Sequence, residues 1–84
     1  MSKERLEQEI TLRQNEVAEY DLNIRKYTLA IEMAKEEETP DEDFIKRLED
    51  LIKSEHRERK KSHTMQRAAT LILDEVAPES RGGK

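Results

Sequence analysis

The sequence predicts an all-α protein: two long antiparallel helices in a coiled-coil-like hairpin, with hairpins assembling into a homo-oligomeric helical bundle. Three observations lead there. Ala, Glu, Lys, Leu and Arg supply 45 of the 84 residues, with only two Gly and two Pro among the rest, the composition of long helices. Ile10, Val17, Ile24 and Ile31 recur every seven residues, the period at which one helix keeps a seam turned toward another. Thr39-Pro40-Asp41-Glu42 then reads as one helix stopping and a second starting, since proline is tolerated only in the first turn of a helix.

The first helix is expected over about 2–37. Ser2 offers a side-chain oxygen to cap it, and Glu4 and Glu7 bring negative charge to its early turns. With Ile10, Val17, Ile24 and Ile31 at heptad position a, position d holds Leu6, Arg13, Tyr20, Tyr27 and Ala34. Arg13 is the one clear break. A turn at about 38–40 is short enough to make the helices antiparallel neighbours. The second helix is expected over about 40–76, with Thr39 as N-cap, Pro40 at N1 and Glu42 closing a capping box. The domain is read as 1–78, followed by a tail at 79–84. The expected hairpin core is Leu6, Ile10, Val17, Ile24 and Ile31 against Phe44, Leu48, Leu51, Ala69, Ile72 and Val76.

Composition also excludes. Without cysteine there is no disulfide framework and no thiolate zinc site. Apolar residues are 33% of the chain and charged residues 43%, so no apolar run is long enough for a membrane span. No apolar stretch follows Met1, so the expected setting is cytoplasmic, or the host-cell cytoplasm if the source is viral. Residues 1–43 carry 13 acidic and 6 basic side chains, against 7 and 10 in residues 44–84. That asymmetry suits two mutually complementary helices, or a face for an anionic partner.

Ala18, Leu22, Leu29 and Met33 form a second apolar stripe on the first helix. One hairpin cannot bury both stripes, so this one is read as an interface for self-association or for a partner. Pairing residue i with roughly 79 − i across the turn places Ile24 opposite Glu55, Tyr20 opposite Arg59 and Val17 opposite Ser62. The rod is thus expected to have apolar ends and a polar waist, and residues 53–64 contain no apolar side chain.

Near that waist stand the candidate anion-binding residues Tyr20, Arg25, Lys26, Tyr27, His56, Arg57, Arg59, Lys60, His63 and Thr64. Arginine and lysine supply charge, histidine and threonine supply donors, and tyrosine supplies a ring on which a base stacks. Four readings stand side by side: a solvated helix face, a site for a small phosphorylated nucleotide, a nucleic-acid track along 53–67, and a docking patch for a protein. His56 and His63 are seven apart, whereas two ligands on one helix sit at i and i+4, so no metal is expected. No nucleophile–base pattern or phosphate-binding glycine loop is present, so neither an enzyme nor a cofactor is expected.

In size and helical content the chain resembles the small cysteine-free helical proteins that bacteriophages direct against host machinery. That resemblance implies either a stoichiometric inhibitor of a host protein or an oligomeric sponge for a cyclic nucleotide signal. The leading expectation is a non-enzymatic interaction protein that binds a protein partner.

Overall fold

A computed structural model of the chain describes residues 2–76. Within them the chain forms α1 (Lys3–Lys35) and α2 (Glu42–Val76), packed side by side with no strand. The expected boundary at 78 and the tail at 79–84 lie outside the described residues. The helices hold 33 and 35 residues, roughly 50 Å each at 1.5 Å per residue, and the hairpin measures 62 × 19 × 14 Å.

Local chemistry sets each boundary. Ser2 adopts an extended backbone and its Oγ accepts from the Arg5 amide at 3.1 Å, satisfying one of the donors a helix start leaves bare. α1 ends two residues earlier than the sequence suggests. Its last amides tighten onto carbonyls three residues back, Glu36 N to Met33 O and Glu37 N to Ala34 O, and the acidic run that follows opposes the negative end of the dipole.

α2 begins later than expected, because its cap is Asp41 and not Thr39. Asp41 Oδ1 accepts from the Phe44 amide at 3.1 Å, and its carbonyl accepts from the Ile45 amide at 3.0 Å. Pro40 therefore precedes the helix. Asp41→Ala should lower stability by about 1 kcal/mol, and Thr39→Ala should change it by less than about 0.5 kcal/mol. Thermal melts followed by far-UV circular dichroism separate the two.

Burial marks two unbroken seams. On α1 the inward row is Leu6, Ile10, Arg13, Val17, Tyr20, Ile24, Tyr27, Ile31 and Ala34, all buried or half-buried. On α2 it is Ile45, Leu48, Ile52, Glu55, Arg59, Ser62, Gln66, Ala69 and Leu73. Both rows step by alternating threes and fours, the a/d pattern of a coiled coil. On α2, position a falls at 45, 52, 59, 66 and 73, and d at 48, 55, 62 and 69.

Four residues expected in the core are not there. Phe44, Leu51 and Ile72 lie one position before the seam, at g, and are exposed. Val76 is in phase with the seam but faces the start of α1 at the rod's end, and it too is exposed. Leu6, Leu48 and Ala69 are buried as expected, while Ile10, Val17, Ile24 and Ile31 are half-buried, because a two-helix seam stays open along both flanks.

The buried apolar residues divide between the ends of the rod. Ala34, Ile45 and Leu48 lie near the turn, and Leu6, Ala69 and Leu73 form a cluster at the open end with Ile10 packed against it. In the stretch between them the buried residue is polar, Ser62.

Candidate functional site

The middle of the seam is held by polar bridges. Asn23 Nδ2 donates to Glu55 Oε1 at 2.9 Å, Arg59 Nε to Asp21 Oδ1 at 2.6 Å, and Ser62 Oγ to Glu16 Oε1 at 2.8 Å. Each pair lies within one residue of i opposite 79 − i, so these bonds carry the expected register.

Arg13, the seam's apparent flaw, is part of the same network. It donates through Nε to Glu9 at 2.7 Å and through Nη1 to Glu16 at 3.0 Å. An arginine stem fills seam volume while its head is paired at the edge. The α1 partners Glu16, Asp21 and Asn23 occupy positions g, e and g. Pairing the waist across positions a and d alone does not reveal Glu16 and Asp21 as partners. The signal available was the rule that e and g side chains reach across a coiled-coil seam.

This network fixes the local charge states. The Ser62 hydroxyl, and next the Arg13 guanidinium, hold the Glu16 carboxyl below its ordinary 4.5. The bonds that Arg13 donates to Glu9 and then to Glu16 push its guanidinium pKa further up. A carboxyl with a depressed folded-state pKa stabilises the fold above its unfolded value, and that contribution is lost as pH falls through the folded value. Stability should therefore drop as pH falls below about 4.5, and Glu16→Gln should flatten the decline. Urea midpoints measured from neutral pH into acid test this.

The candidate anion-binding residues are not gathered into one site. Tyr20 and Tyr27 are half-buried seam residues, and Arg59 is already paired with Asp21. Arg25, Lys26, His56, Arg57, Lys60, His63 and Thr64 are exposed. Arg25, His56, Lys60 and His63 occupy positions e and b, Lys26 occupies c, and Arg57 and Thr64 occupy f. They are therefore spread around the rod. Arg57, Lys60, Lys61, Thr64 and Met65 line a shallow furrow on the outside of α2 alone. Among the described residues no group of three or more His, Cys, Asp or Glu is placed to hold a metal ion.

Another surface feature is better organised. In an antiparallel pair, g and c residues of both helices share one broad side, and e and b residues share the other. The described residues include ten large apolar side chains that are exposed. Leu12, Met33, Phe44, Leu51, Met65 and Ile72 stand at g or c, and Leu22, Leu29 and Leu71 at f, on the outer edges of the rod between the two sides. The tenth is Val76 at the rod's end.

Among the described residues the e and b side carries no large apolar residue of either helix, and Ala18 is its only apolar side chain. The grooves along the seam agree. One is lined by Leu6, Glu9, Met65, Ala68, Ala69 and Ile72, and the other by Glu7, Ile10, Thr11, Gln14, Gln66, Thr70 and Leu73, whose apolar members Ile10 and Leu73 belong to the seam itself. Of the expected interface stripe, Met33 thus falls on the apolar side, Leu22 and Leu29 on the outer edge of α1, and Ala18 on the opposite side.

The e and b side has its own pattern. Lys46, Lys53, Lys60 and Arg67 repeat every seven residues along α2, all exposed, with His56 and His63 alongside. No described helix is long and apolar enough to cross a membrane. Comparison with protein-family models, with characterised proteins and with solved structures finds no match for this chain.

Proposed function

We propose that the protein is a non-enzymatic interaction protein: its hairpins assemble into a homo-oligomeric helical bundle, and the assembly acts by stoichiometric binding of a protein partner. The observation behind this reading is the division of the surface into an apolar-bearing side and a polar side with a regular basic row. The apolar side serves assembly. The row Lys46-Lys53-Lys60-Arg67, with His56 and His63 beside it, meets an acidic surface of the partner.

A protein suits this row better than a nucleic acid does. Glu4, Glu7, Asp21 and Glu32 lie on the same broad side and would repel a continuous phosphate backbone, whereas a protein surface can match mixed charges one by one. An inhibitor of host machinery of the bacteriophage type works in this way, by occupying a surface without chemistry.

Immobilised full-length protein should retain a partner from host extract that then titrates at one per chain when purified. Lys53→Glu/Lys60→Glu/Arg67→Glu should weaken that binding at least tenfold, and nuclease should leave it unchanged. Three results would overturn the reading: no saturable protein partner, binding of short duplex DNA that weakens steeply with salt, or thermal stabilisation by a cyclic nucleotide.

A further inference from the structure

We infer that the g and c side is covered by a second copy of this chain, giving a four-helix dimer in which the turn of one hairpin lies at the open end of the other. The inference rests on the proposed division of the surface and names what occupies its apolar side.

Area is the first argument. A face 62 Å long and 19 Å wide offers roughly 1,200 Å², above the ~800 Å² that each partner gives to a stable interface of ordinary size. The apolar groups also suit a copy of themselves. Phe44, Leu51 and Met33 lie toward the turn, and Met65, Ile72 and Leu12 toward the open end, with charge between them.

An isologous interface must be self-complementary, and the charged middle of this face is. It pairs acid with base, Glu58 with Lys61 at 3.3 Å on α2, and α1 presents both Glu19 and Lys26 at position c. A partner of one charge sign would leave half of these groups opposed. A second copy presents both signs in equal measure.

Either sense of a two-fold axis lying in the face sets apolar ends on apolar ends. The turn decides between them. Glu36, Glu37, Glu38, Asp41, Glu42 and Asp43 are crowded at each tip, and turns placed side by side would bring twelve carboxylates together, two sets of these six. In the opposite sense each acidic tip lies beside the copy's Arg5, at position c of the open end. On α2 that sense also sets Phe44 level with the copy's Ile72, and Leu51 level with the copy's Met65.

Sedimentation of the wild-type chain should give twice its 9.9 kDa mass, and its melting temperature should rise with concentration, as it must when folding is linked to association. Leu51→Ala/Met65→Ala should weaken the dimer at least tenfold. Thr11→Glu/Arg25→Glu, on the other broad side, should leave it intact. Because the chain has no cysteine, Glu38→Cys gives one spin label per tip, with an expected tip-to-tip separation near the rod length of 62 Å.

A 9.9 kDa species with a concentration-independent melt would overturn the dimer. Equal loss with both variant pairs would overturn the choice of face, and a label separation below about 25 Å, little more than the rod's width, would overturn the sense of packing. The melt needs no variant, so it decides even if a substituted chain fails to fold. A monomer that still binds its acidic partner through the basic row would refute self-association, here and in the proposed function, and leave the partner-binding reading standing.

Discussion

Leu6→Ala should lower the melting temperature by roughly 15 °C and leave a chain close to the threshold of folding. Leu6 is 1% exposed, the most deeply buried large side chain described, and it sits in a cluster with Ala69 and Leu73. Removing a buried leucine to alanine costs about 2–5 kcal/mol, and small domains have only about 0.05–0.15 kcal/mol of stability per residue to lose. No third helix is present in the hairpin to collapse into the void. Leu71→Ala is the control: it removes the same atoms from the same end of the rod, but Leu71 is 66% exposed, so the expected change is below about 0.5 kcal/mol. Parallel melts of the two variants at one concentration test the assignment of the seam.

Replacing the waist should act in the opposite direction. Glu55→Leu/Arg59→Leu would set two leucines against Ile24 and Tyr20, where the present side chains are half-buried. A half-buried leucine gains about 1 kcal/mol, and an ion pair as open as Arg59 with Asp21 is worth at most about 1 kcal/mol. The double variant should be more stable by about 1–2 kcal/mol and melt roughly 8 °C higher.

The same substitution should loosen the register. A slip of one heptad keeps every a and d residue facing inward, so the heptad alone does not distinguish the correct pairing. The bonds Asn23–Glu55, Asp21–Arg59 and Glu16–Ser62 do distinguish it, as buried polar positions do in other coiled coils. Two of the three bonds are lost in the variant. Disulfide trapping between single cysteines placed near the turn and on α2 should detect slipped pairings in the variant and none in the wild type.

The inward phase of α1 is legible in the sequence because four β-branched residues repeat at one heptad position, although its end is not. α2 was legible as a helix but not in phase. It carries adjacent apolar pairs, Phe44-Ile45, Leu51-Ile52 and Ile72-Leu73, and an apolar count cannot say which member of a pair faces inward. The correct row also runs through Glu55, Arg59, Ser62 and Gln66, which any search for a hydrophobic stripe rejects.

The cap was misplaced for a similar reason. Thr39 and Asp41 are both good capping residues, and the geometry that selects Asp41 appears only in the folded backbone. The polar waist itself was legible, as was its register. Its partners are not, since they sit on the flanks of α1, and one of the candidate anion-binding residues, Arg59, is paired with Asp21.

The position of the Leu6 cluster has a kinetic consequence. Residues joined by α1's end, the turn and α2's start meet after closing a short loop, whereas Leu6 meets Ala69 and Leu73 only after nearly the whole described chain has doubled back. Closure entropy grows with loop length, so the hairpin zips from Ala34, Ile45 and Leu48 toward its open end, and the Leu6 cluster locks last. Substitutions near the turn then slow folding, while Leu6→Ala leaves the folding rate nearly unchanged and hastens unfolding. The best-buried part of the molecule is the latch that determines how long it stays closed.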